Sequence, residues 1–254
     1  MNDTTETPVK ATRTSIRLLE RLLELGEAPL TEIANEVDLS KSSVHNHLGT
    51  LEQLGFVVKR DMTYRVSLRC CEIGATARRS VPFYATGQRE VERLSKASGL
   101  AGGLAVFERN TAICLHSTTG QHQETPPVED GDRLPLHASA PGKAILGALD
   151  DSALDDALTD VEFESLTEET LTDEGELRAQ LDRVRTRGVA TDREEWRPDL
   201  RGLAAGFSAA DESVVGSIFV LSATEEMSGK QFQQDVPGLL VSAANHLRQE
   251  LADE

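Results

Sequence analysis

The sequence has 254 residues, 39% of them hydrophobic, and a formal net charge of −17 at pH 7, which indicates a globular chain long enough for two modest domains. No apolar run approaches the length of a bilayer span, so we expect neither a membrane-spanning helix nor a membrane partner. The first residues, MNDTTETPVKATR, lack the apolar segment of a signal peptide, and a cytoplasmic protein is therefore expected.

A first helix is predicted after a polar tail at residues 1–10, which is expected to be disordered. Either Thr12 or Thr14 can cap the start of this helix, and Gly26 is expected to end it. Apolar residues at helical spacing are predicted to form its buried side, namely Ile16, Leu18, Leu19, Leu22, Leu23 and Leu25.

Two further helices joined by a tight turn are predicted between Leu30 and Leu54. The apolar positions of the first are Leu30, Ile33, Ala34 and Val37. Asp38 lies at the break, where a residue that tolerates the left-handed region is required. Ser40 is a favourable N-cap for the second helix. The apolar stripe of that helix consists of Val44, Leu48, Leu51 and Leu54.

The outer face of the second helix is polar and holds no acidic residue between Ser40 and Thr50, and His47 is expected on this face. Short polar and cationic side chains suit phosphate oxygens and base edges in a major groove, which predicts the recognition helix of a helix-turn-helix. The alternative is an ordinary helical hairpin with a solvated face, although such a face in so acidic a protein would usually carry Asp or Glu. The residues predicted to contact DNA are Ser40, Lys41, Ser42, Ser43, His45, Asn46 and Thr50.

A β-hairpin is predicted after Gly55, with two short strands in residues 56–68 and a turn at Arg60–Asp61. Three helices followed by a hairpin form a winged helix, whose positively charged wing can meet the DNA backbone or minor groove. The further DNA-contact candidates are Arg13, Lys59, Arg60 and Arg65. The charge distribution agrees with this interpretation, because residues 1–69 carry nine basic and ten acidic side chains whereas residues 70–254 carry seventeen and thirty-three.

A larger α+β domain is predicted beyond a helical connector at residues 70–80. The odd number of cysteines, Cys70, Cys71 and Cys114, agrees with free thiols in a reducing compartment. A helix over about 81–97 precedes two strands joined by a turn at Arg109–Asn110, and a polar loop then extends to Arg133.

The rest of this domain is predicted to alternate helices with strands. Ser139 is expected to cap a helix that extends to Leu149, and three acidic helices follow over about 151–187. Strands are predicted at Val189–Asp192, in LRGLAAGFSA and in SVVGSIFVLSA, and a final helix spans about 229–252. This order of elements indicates an antiparallel sheet with helices packed on it.

Together these segments resemble the IclR family of transcriptional regulators. The resemblance rests on LTEIANEVDLSKSSVHNHLGTLEQLGFV and the wing that contains Tyr64, and then on LPLHASAPGKAILGAL, SLTEETLTDEGELRAQLDRVRTRGVATDREEW and LAAGFSAADESVVGSIFVLS in this order. It implies an α+β chain with a winged helix-turn-helix at 11–69, a linker helix at 70–80 and a GAF-like effector-binding and oligomerisation domain at 81–254. It further implies double-stranded operator DNA, a small organic or sugar acid as effector, and a homodimer or homotetramer.

The resemblance also places the family's effector pocket between the helix that follows LPLHAS and the facing strands. Carried onto this sequence, the effector-binding residues are Ser139, Ala140, Asp192, Gly202, Phe219 and Leu221. Gly202 stands where some members carry Cys, and Gly206 stands where Pro is usual. Phe219 and Leu221 stand where hydroxyl residues are frequent, which implies a more apolar pocket of different shape. Simple helix capping by Ser139 and a structural turn role for Asp192 remain as alternatives.

No cofactor, metal or catalytic group is predicted. A phosphate loop at residues 141–144 fails on its spacing, His45 and His47 point to different sides of a helix, and Cys114 with His116 would be two metal ligands short. No nucleophile is predicted beside a base and an orienting group, so an enzyme is not expected.

Two alternatives to an effector-controlled regulator stay open at this point. One is a ligand-independent architectural DNA-binding oligomer, and the other is an enzyme that acts on a small acid. Arginine outnumbers lysine by 20 to 6 and acidic residues are abundant, which suggests an origin in a halophilic archaeon as a hypothesis. An acidic mesophilic protein is the alternative to that hypothesis.

Overall fold

The computed structural model describes residues 9–121, 123–210, 213–227 and 234–253. The chain divides into two compact units, with the boundary between Arg78 and Arg79. Each unit has its own hydrophobic core.

The first unit is a winged helix. Its helices are α1 (Lys10–Leu25), α2 (Leu30–Glu36), α3 (Lys41–Gln53) and α4 (Arg69–Arg79), the last of which reaches the boundary. Its strands are β1 (Glu27–Pro29), β2 (Val57–Arg60) and β3 (Thr63–Val66), which form an antiparallel sheet in the order β1-β3-β2. The predicted hairpin of β2 and β3 is thus confirmed, and β1 is an additional strand that pairs Ala28 with Tyr64.

The core of the first unit is formed by one face of each of α1, α2 and α3 and by the inner face of the small sheet. Leu18 and Leu22 of α1 are fully buried, but Ile16 and Leu23 are 50% and 67% exposed, so their predicted burial is wrong. Both residues lie off the face that Leu18 and Leu22 share at helical spacing, and only that face is packed. Leu54, predicted on the buried stripe of the recognition helix, is likewise 54% exposed because it follows the last residue of α3.

The turn chemistry of this unit largely follows the prediction. Gly26 ends α1 with φ of +73°, and Asp38 occupies the left-handed region between α2 and α3 with φ of +51°. The start of α1 was predicted incorrectly, since the helix begins at Lys10 behind Val9 and has no side-chain cap. The wing turn is also shifted by one residue, because Arg60 still pairs with Thr63 and Asp61 takes the positive φ.

The second unit is built on a six-stranded antiparallel sheet in the order β6-β5-β4-β9-β8-β7. The strands are β4 (Ala101–Glu108), β5 (Thr111–Ser117), β6 (Arg133–Leu134), β7 (Ala190–Arg193), β8 (Leu200–Ser208) and β9 (Val215–Ala223). The helices are α5 (Tyr84–Ser98), α6 (Ala140–Ala148), α7 (Asp151–Thr159), α8 (Glu174–Arg187) and α9 (Val236–Asp253). The predicted turn at Arg109–Asn110 is confirmed, with φ of +47° and +58°.

Two helix predictions in this unit need correction. Residues 151–187 form two helices rather than three, because residues 160–173 are not helical. In that stretch the hydroxyls of Thr167 and Thr170 donate to the backbone carbonyls of Glu194 and Glu195, which fixes an irregular segment. The described part of the final helix begins at Val236, and residues 229–233 of the predicted helix lie outside the described residues.

Helices cover both faces of the sheet. On β9, Phe219 and Leu221 point to the face covered by α6, and the alternating residues Ile218 and Val220 point to the face covered by α5 and α9. The predicted antiparallel sheet with packed helices is therefore confirmed, and the chain is an α+β protein. None of the helices in the described parts of the chain has the length and hydropathy that a membrane span needs.

Candidate functional site

The outward face of α3 gathers most of the predicted DNA-contact residues. The helix buries Val44, Leu48 and Leu51 against the core, which turns the opposite side chains toward solvent. Lys41, Ser42, His45, Asn46 and Thr50 are exposed on α3, and Ser43 is half-buried. Since no carboxylate interrupts Ser40 to Thr50, this face presents only neutral and cationic groups. Such a face can donate hydrogen bonds to phosphate oxygens and to base edges.

Three side chains of this region also have structural roles. Ser40 Oγ accepts a hydrogen bond from the Ser43 backbone N–H at 3.2 Å, which confirms it as the N-cap of α3. Thr50 Oγ1 donates to the Asn46 carbonyl at 3.0 Å. His47 Nδ1 shares a hydrogen bond of 2.9 Å with Ser15 Oγ of α1, so His47 joins two helices instead of lying on the polar face predicted for it.

The wing and α1 supply the other predicted DNA-contact residues. Lys59 and Arg60 are exposed on β2, and the Lys59 ammonium lies 5.4 Å from the centroid of the Tyr64 ring. Arg65 lies on the central strand β3, is half-buried, and donates from Nη1 to the Val66 carbonyl at 3.2 Å, so part of its donor capacity serves the wing. Arg13 is exposed on α1.

The second unit brings all six predicted effector residues to the α6 face of the sheet. Asp192, Gly202 and Leu221 are neighbours across β7, β8 and β9 in the register of the sheet. A Cβ atom on Gly202 would lie 3.0 Å from Ala140 Cβ and 2.8 Å from a Leu221 methyl group. Ser139 caps α6 beside them, and Phe219 lies on β9 two residues from Leu221.

This cluster is filled by its own side chains. Gly202 is buried, and the other five effector candidates are at most 1% exposed. The space that a Gly202 side chain would occupy is taken by Leu221, and the Phe219 ring lies over Gly103, where a Cβ would be 2.1 Å from Phe219 Cζ. The more apolar site that the sequence predicted is therefore closed in this structure, and a ligand enters only if Phe219 or Leu221 moves.

Three ionisable side chains are buried together where α6 packs against the end of β7, namely Lys143, Asp192 and Glu195. Lys143 is fully buried and donates from Nζ to Glu195 Oε2 at 2.5 Å. Glu195 in turn donates its backbone N–H to Asp192 Oδ1 at 2.8 Å, and Trp196 N–H is 3.4 Å from the same oxygen. Within the described residues, Asp192 Oδ2 is buried and has no hydrogen-bond partner.

The protonation of this cluster is set mainly by burial. Burial raises the pKa of Asp192 to about 7, although the nearby Lys143 ammonium and the hydrogen bond from Glu195 N–H oppose the rise. Burial lowers the pKa of Lys143, and the Glu195 carboxylate opposes this shift. The Asp192 carboxyl group therefore keeps its proton to a higher pH than an ordinary aspartate does, and it can donate a hydrogen bond when protonated or accept one when ionised.

Ser139 has the capping role that was left open as an alternative. Its Oγ accepts from Gly142 N–H at 3.1 Å and donates to the Pro135 carbonyl at 2.6 Å. The hydroxyl donor is therefore already used by the Pro135 carbonyl.

The sequence interpretation missed Lys143 and Glu195. A signal was present, because Lys143 interrupts the otherwise apolar segment APGKAILGA, and a lysine inside a buried helix requires an opposite charge. The DREEW segment offered three candidate carboxylates 49, 51 and 52 residues away, and spacing alone does not distinguish between them. Among the described residues no group of three or more metal-ligating side chains could hold a metal ion.

Comparisons with known proteins identify relatives across nearly the whole chain. Residues 75–248 match the family model described as bacterial transcriptional regulator IclR C-terminal, and residues 15–61 match the IclR helix-turn-helix domain. The chain is 26% identical over 235 residues to a protein of Halobacterium salinarum named "Probable HTH-type transcriptional regulator ArcR", which covers 91% of this chain and 89% of that protein.

Two solved structures show the same fold. An IclR transcriptional regulator from Alicyclobacillus acidocaldarius superposes with a TM-score of 0.81 at 22% identity and covers 96% of this chain and 99% of its own. An IclR homologue from Microbacterium hydrocarbonoxydans, crystallised in complex with 4-hydroxybenzoate, has a TM-score of 0.76 at 18% identity and covers 93% of this chain and 98% of its own.

Proposed function

This chain belongs to the IclR family of transcriptional regulators, and from that premise we propose that α3 and the wing recognise a specific operator duplex while the cluster around Asp192 binds the controlling effector. The observation that carries the proposal is the exposed, acid-free face of α3 in a chain of net charge −17. The named relatives are transcriptional regulators, which supports a regulatory rather than an enzymatic role.

The proposed DNA contacts divide into two classes. Asn46, at the centre of the exposed face, is the candidate for a bidentate contact to an adenine edge, and His45 and Ser42 flank it. Lys41, Arg13 and the wing cations are candidates for phosphate contacts, which position the protein without reading sequence. Because salt weakens phosphate contacts steeply, discrimination between duplexes rests on the α3 residues.

We expect the effector to be a small organic acid with an apolar body. The Asp192 carboxyl group, with a buried free oxygen and a pKa near 7, can hydrogen-bond to a carboxylate or a hydroxyl of the ligand. Phe219 and Leu221 can contact the apolar body after they move aside. The 4-hydroxybenzoate in the Microbacterium homologue supports including aromatic acids beside sugar acids in a ligand panel.

Self-association is supported by an apolar stripe on α1. Val9, Ile16 and Leu23 are spaced by seven residues and are 69%, 50% and 67% exposed. A homodimer or homotetramer that covers this stripe would place two recognition helices on one pseudo-palindromic operator. We further propose a GAF-like effector domain at residues 81–254 and a cytoplasmic location. A salt-rich cytoplasm is supported by the acidic composition and by the likeness to a Halobacterium protein.

The test is fluorescence anisotropy of labelled duplexes taken from upstream of the protein's own gene and its neighbours. Titrations at several KCl concentrations, with and without each acid of the panel, should give one duplex bound more tightly than random DNA and one acid that shifts its affinity. Equal binding to all duplexes at every salt concentration would refute sequence-specific regulation. Binding that no acid changes would refute control through the Asp192 cluster.

Asn46→Ala and Gln53→Ala separate base recognition from general binding. We expect Asn46→Ala to lose about 1–3 kcal/mol of discrimination between the preferred and random duplexes, which is the worth of one bidentate base contact. Gln53 is an exposed amide near the end of α3 and serves as the matched control, for which discrimination should be unchanged. If Asn46→Ala discriminates as well as the wild type, the placement of the base contact is wrong.

A further inference from the structure

A cavity of about 650 Å³ lies beside β7, on the face of the sheet opposite to the face on which Asp192 lies. Thr191 pairs with Leu203, which belongs to the core on the α9 face, whereas Asp192 pairs with Gly202 on the α6 face. The cavity, named here the arginine cavity, is lined among others by Gln180, Arg183, Arg187, Thr191, Arg193 and Glu195. Its volume is within the range typical of small-molecule sites, roughly 300–1,000 Å³.

The charge of the arginine cavity is opposite to that of the unit around it. Residues 70–254 carry sixteen more acidic than basic side chains, yet the described lining of this one cavity includes three arginines. Among the described residues of the lining, Glu195 is the single carboxylate, and it is already paired with Lys143. Its charge is therefore compensated from within the protein, and the cavity presents a net positive charge to a ligand.

The arginines of α8 differ in whether they are paired with a carboxylate, although Arg183 and Arg187 are both exposed. Arg178 is paired with Glu174 and Asp155, and Arg185 is paired with Asp151, as expected in a chain rich in acid. In contrast, within the described residues the guanidinium groups of Arg183 and Arg187 form no ion pair with a carboxylate, and the same holds for the guanidinium of Arg193 on β7. Positions 183 and 187 are one helical turn apart, so both point to the same side of α8.

Neutral groups of the lining add hydrogen-bonding capacity. Gln180 Oε1 is buried and has no hydrogen-bond partner in the described parts of the chain. Its amide can rotate so that the NH₂ group faces a ligand, because the amide O and N positions are interchangeable in shape. The Thr191 side chain also faces the cavity and offers a hydroxyl.

We propose that the arginine cavity binds a small polyanion that carries at least two carboxylate or phosphate groups. The planar guanidinium fork matches both groups in a bidentate geometry, and three such forks around one cavity favour more than one anionic group. This site is separate from the effector site around Asp192, and the inference depends neither on that site nor on DNA recognition. It therefore adds a second ligand to the proposed function.

Isothermal titration of the full chain without DNA tests the proposal, with citrate and inorganic pyrophosphate as the two probes and glucose as the uncharged control. KCl is adjusted so that the ionic strength is equal in all titrations. We expect saturable binding of at least one polyanion at one site per chain and no binding of glucose. Binding of citrate alone identifies carboxylates as the recognised groups, and binding of pyrophosphate alone identifies phosphates.

Single substitutions locate the binding within the molecule. Arg183→Gln and Arg187→Gln should each weaken the affinity about tenfold, the worth of one charge-assisted contact. Arg178→Gln removes the same charge from the same helix outside the cavity and should keep the wild-type affinity. The proposal is overturned if neither polyanion binds, or if Arg178→Gln weakens binding as much as the cavity substitutions. These outcomes leave the duplex-binding test unaffected, so the two proposals can fail independently.

Discussion

Lys143→Met is the sharpest test of the buried charges beneath α6. Lys143 is fully buried and the Glu195 side chain is 7% exposed, so water cannot replace the lost ammonium group. After the substitution the Glu195 carboxylate retains, among the described residues, a hydrogen bond from the Arg193 backbone N–H at 3.3 Å. Removal of one partner of a buried ion pair costs about 3–5 kcal/mol, because the other charge stays in a low-dielectric site. We expect the free energy of unfolding of the larger unit to fall by that amount.

The double variant Lys143→Met/Glu195→Gln distinguishes a stranded charge from lost packing. The neutral amide can still accept from the Arg193 N–H, and position 195 no longer carries a buried charge. We therefore expect the double variant to be more stable than Lys143→Met alone, with a coupling energy of about 2 kcal/mol in the cycle. Lys96→Met, at an exposed lysine of α5, is the control and should change stability by less than about 0.5 kcal/mol.

Urea unfolding followed by tryptophan fluorescence measures these differences in the right unit. Trp196 is the single tryptophan of the chain, is 8% exposed, and follows Glu195 directly. Its signal therefore reports the larger unit without a contribution from the winged helix. A Lys143→Met variant within about 1 kcal/mol of the wild type would refute the reasoning, since the pair would then not control the stability of this region.

Three further substitutions test other parts of the structure. Burial raises the pKa of Asp192 from 3.8 to about 7, so the protein should lose roughly 2–3 kcal/mol of stability between pH 5 and 8, and Asp192→Asn should flatten this dependence in urea titrations. Gly103→Ala should cost about 1–3 kcal/mol, because the new methyl group meets the Phe219 ring, whereas Gly74→Ala, with nothing within 4 Å, should not destabilise. Ser40→Ala should cost about 1 kcal/mol through loss of the α3 cap, measured by amide exchange in α3; unchanged exchange would contradict the capping role.

The parts of the fold that depend on nearby residues could be predicted from the sequence. The cap at Ser40, the left-handed Asp38 and the turn at Arg109–Asn110 are local, and each is confirmed. The strand β1 could not be predicted in this way. Its three residues, Glu27–Pro29, include a proline and show no alternation, and they form a strand only because Ala28 pairs with Tyr64 thirty-six residues later.

The same limit applies to the two ligand sites. The resemblance located Asp192 and its neighbours, and these residues do converge, but it did not reveal that Leu221 fills the space beside Gly202. That closure depends on the side-chain packing between β8 and β9. Arg183 and Arg187 look like solvated helix arginines in the sequence. Only the tertiary structure separates them from Arg178, because the acidic partners of Arg178 are partly on another helix.

The two proposed ligands would act on one short segment of chain. Asp192 and Arg193 are adjacent on β7, and their side chains face the effector site and the arginine cavity respectively. Glu195 belongs to both, since its backbone donates to Asp192 and its carboxylate lines the arginine cavity. Because β7 is an edge strand of four residues with β8 as its one sheet neighbour, a displacement there breaks fewer hydrogen bonds than one in the sheet centre. We therefore expect a ligand on one side to change the affinity on the other, and any such coupling is reciprocal.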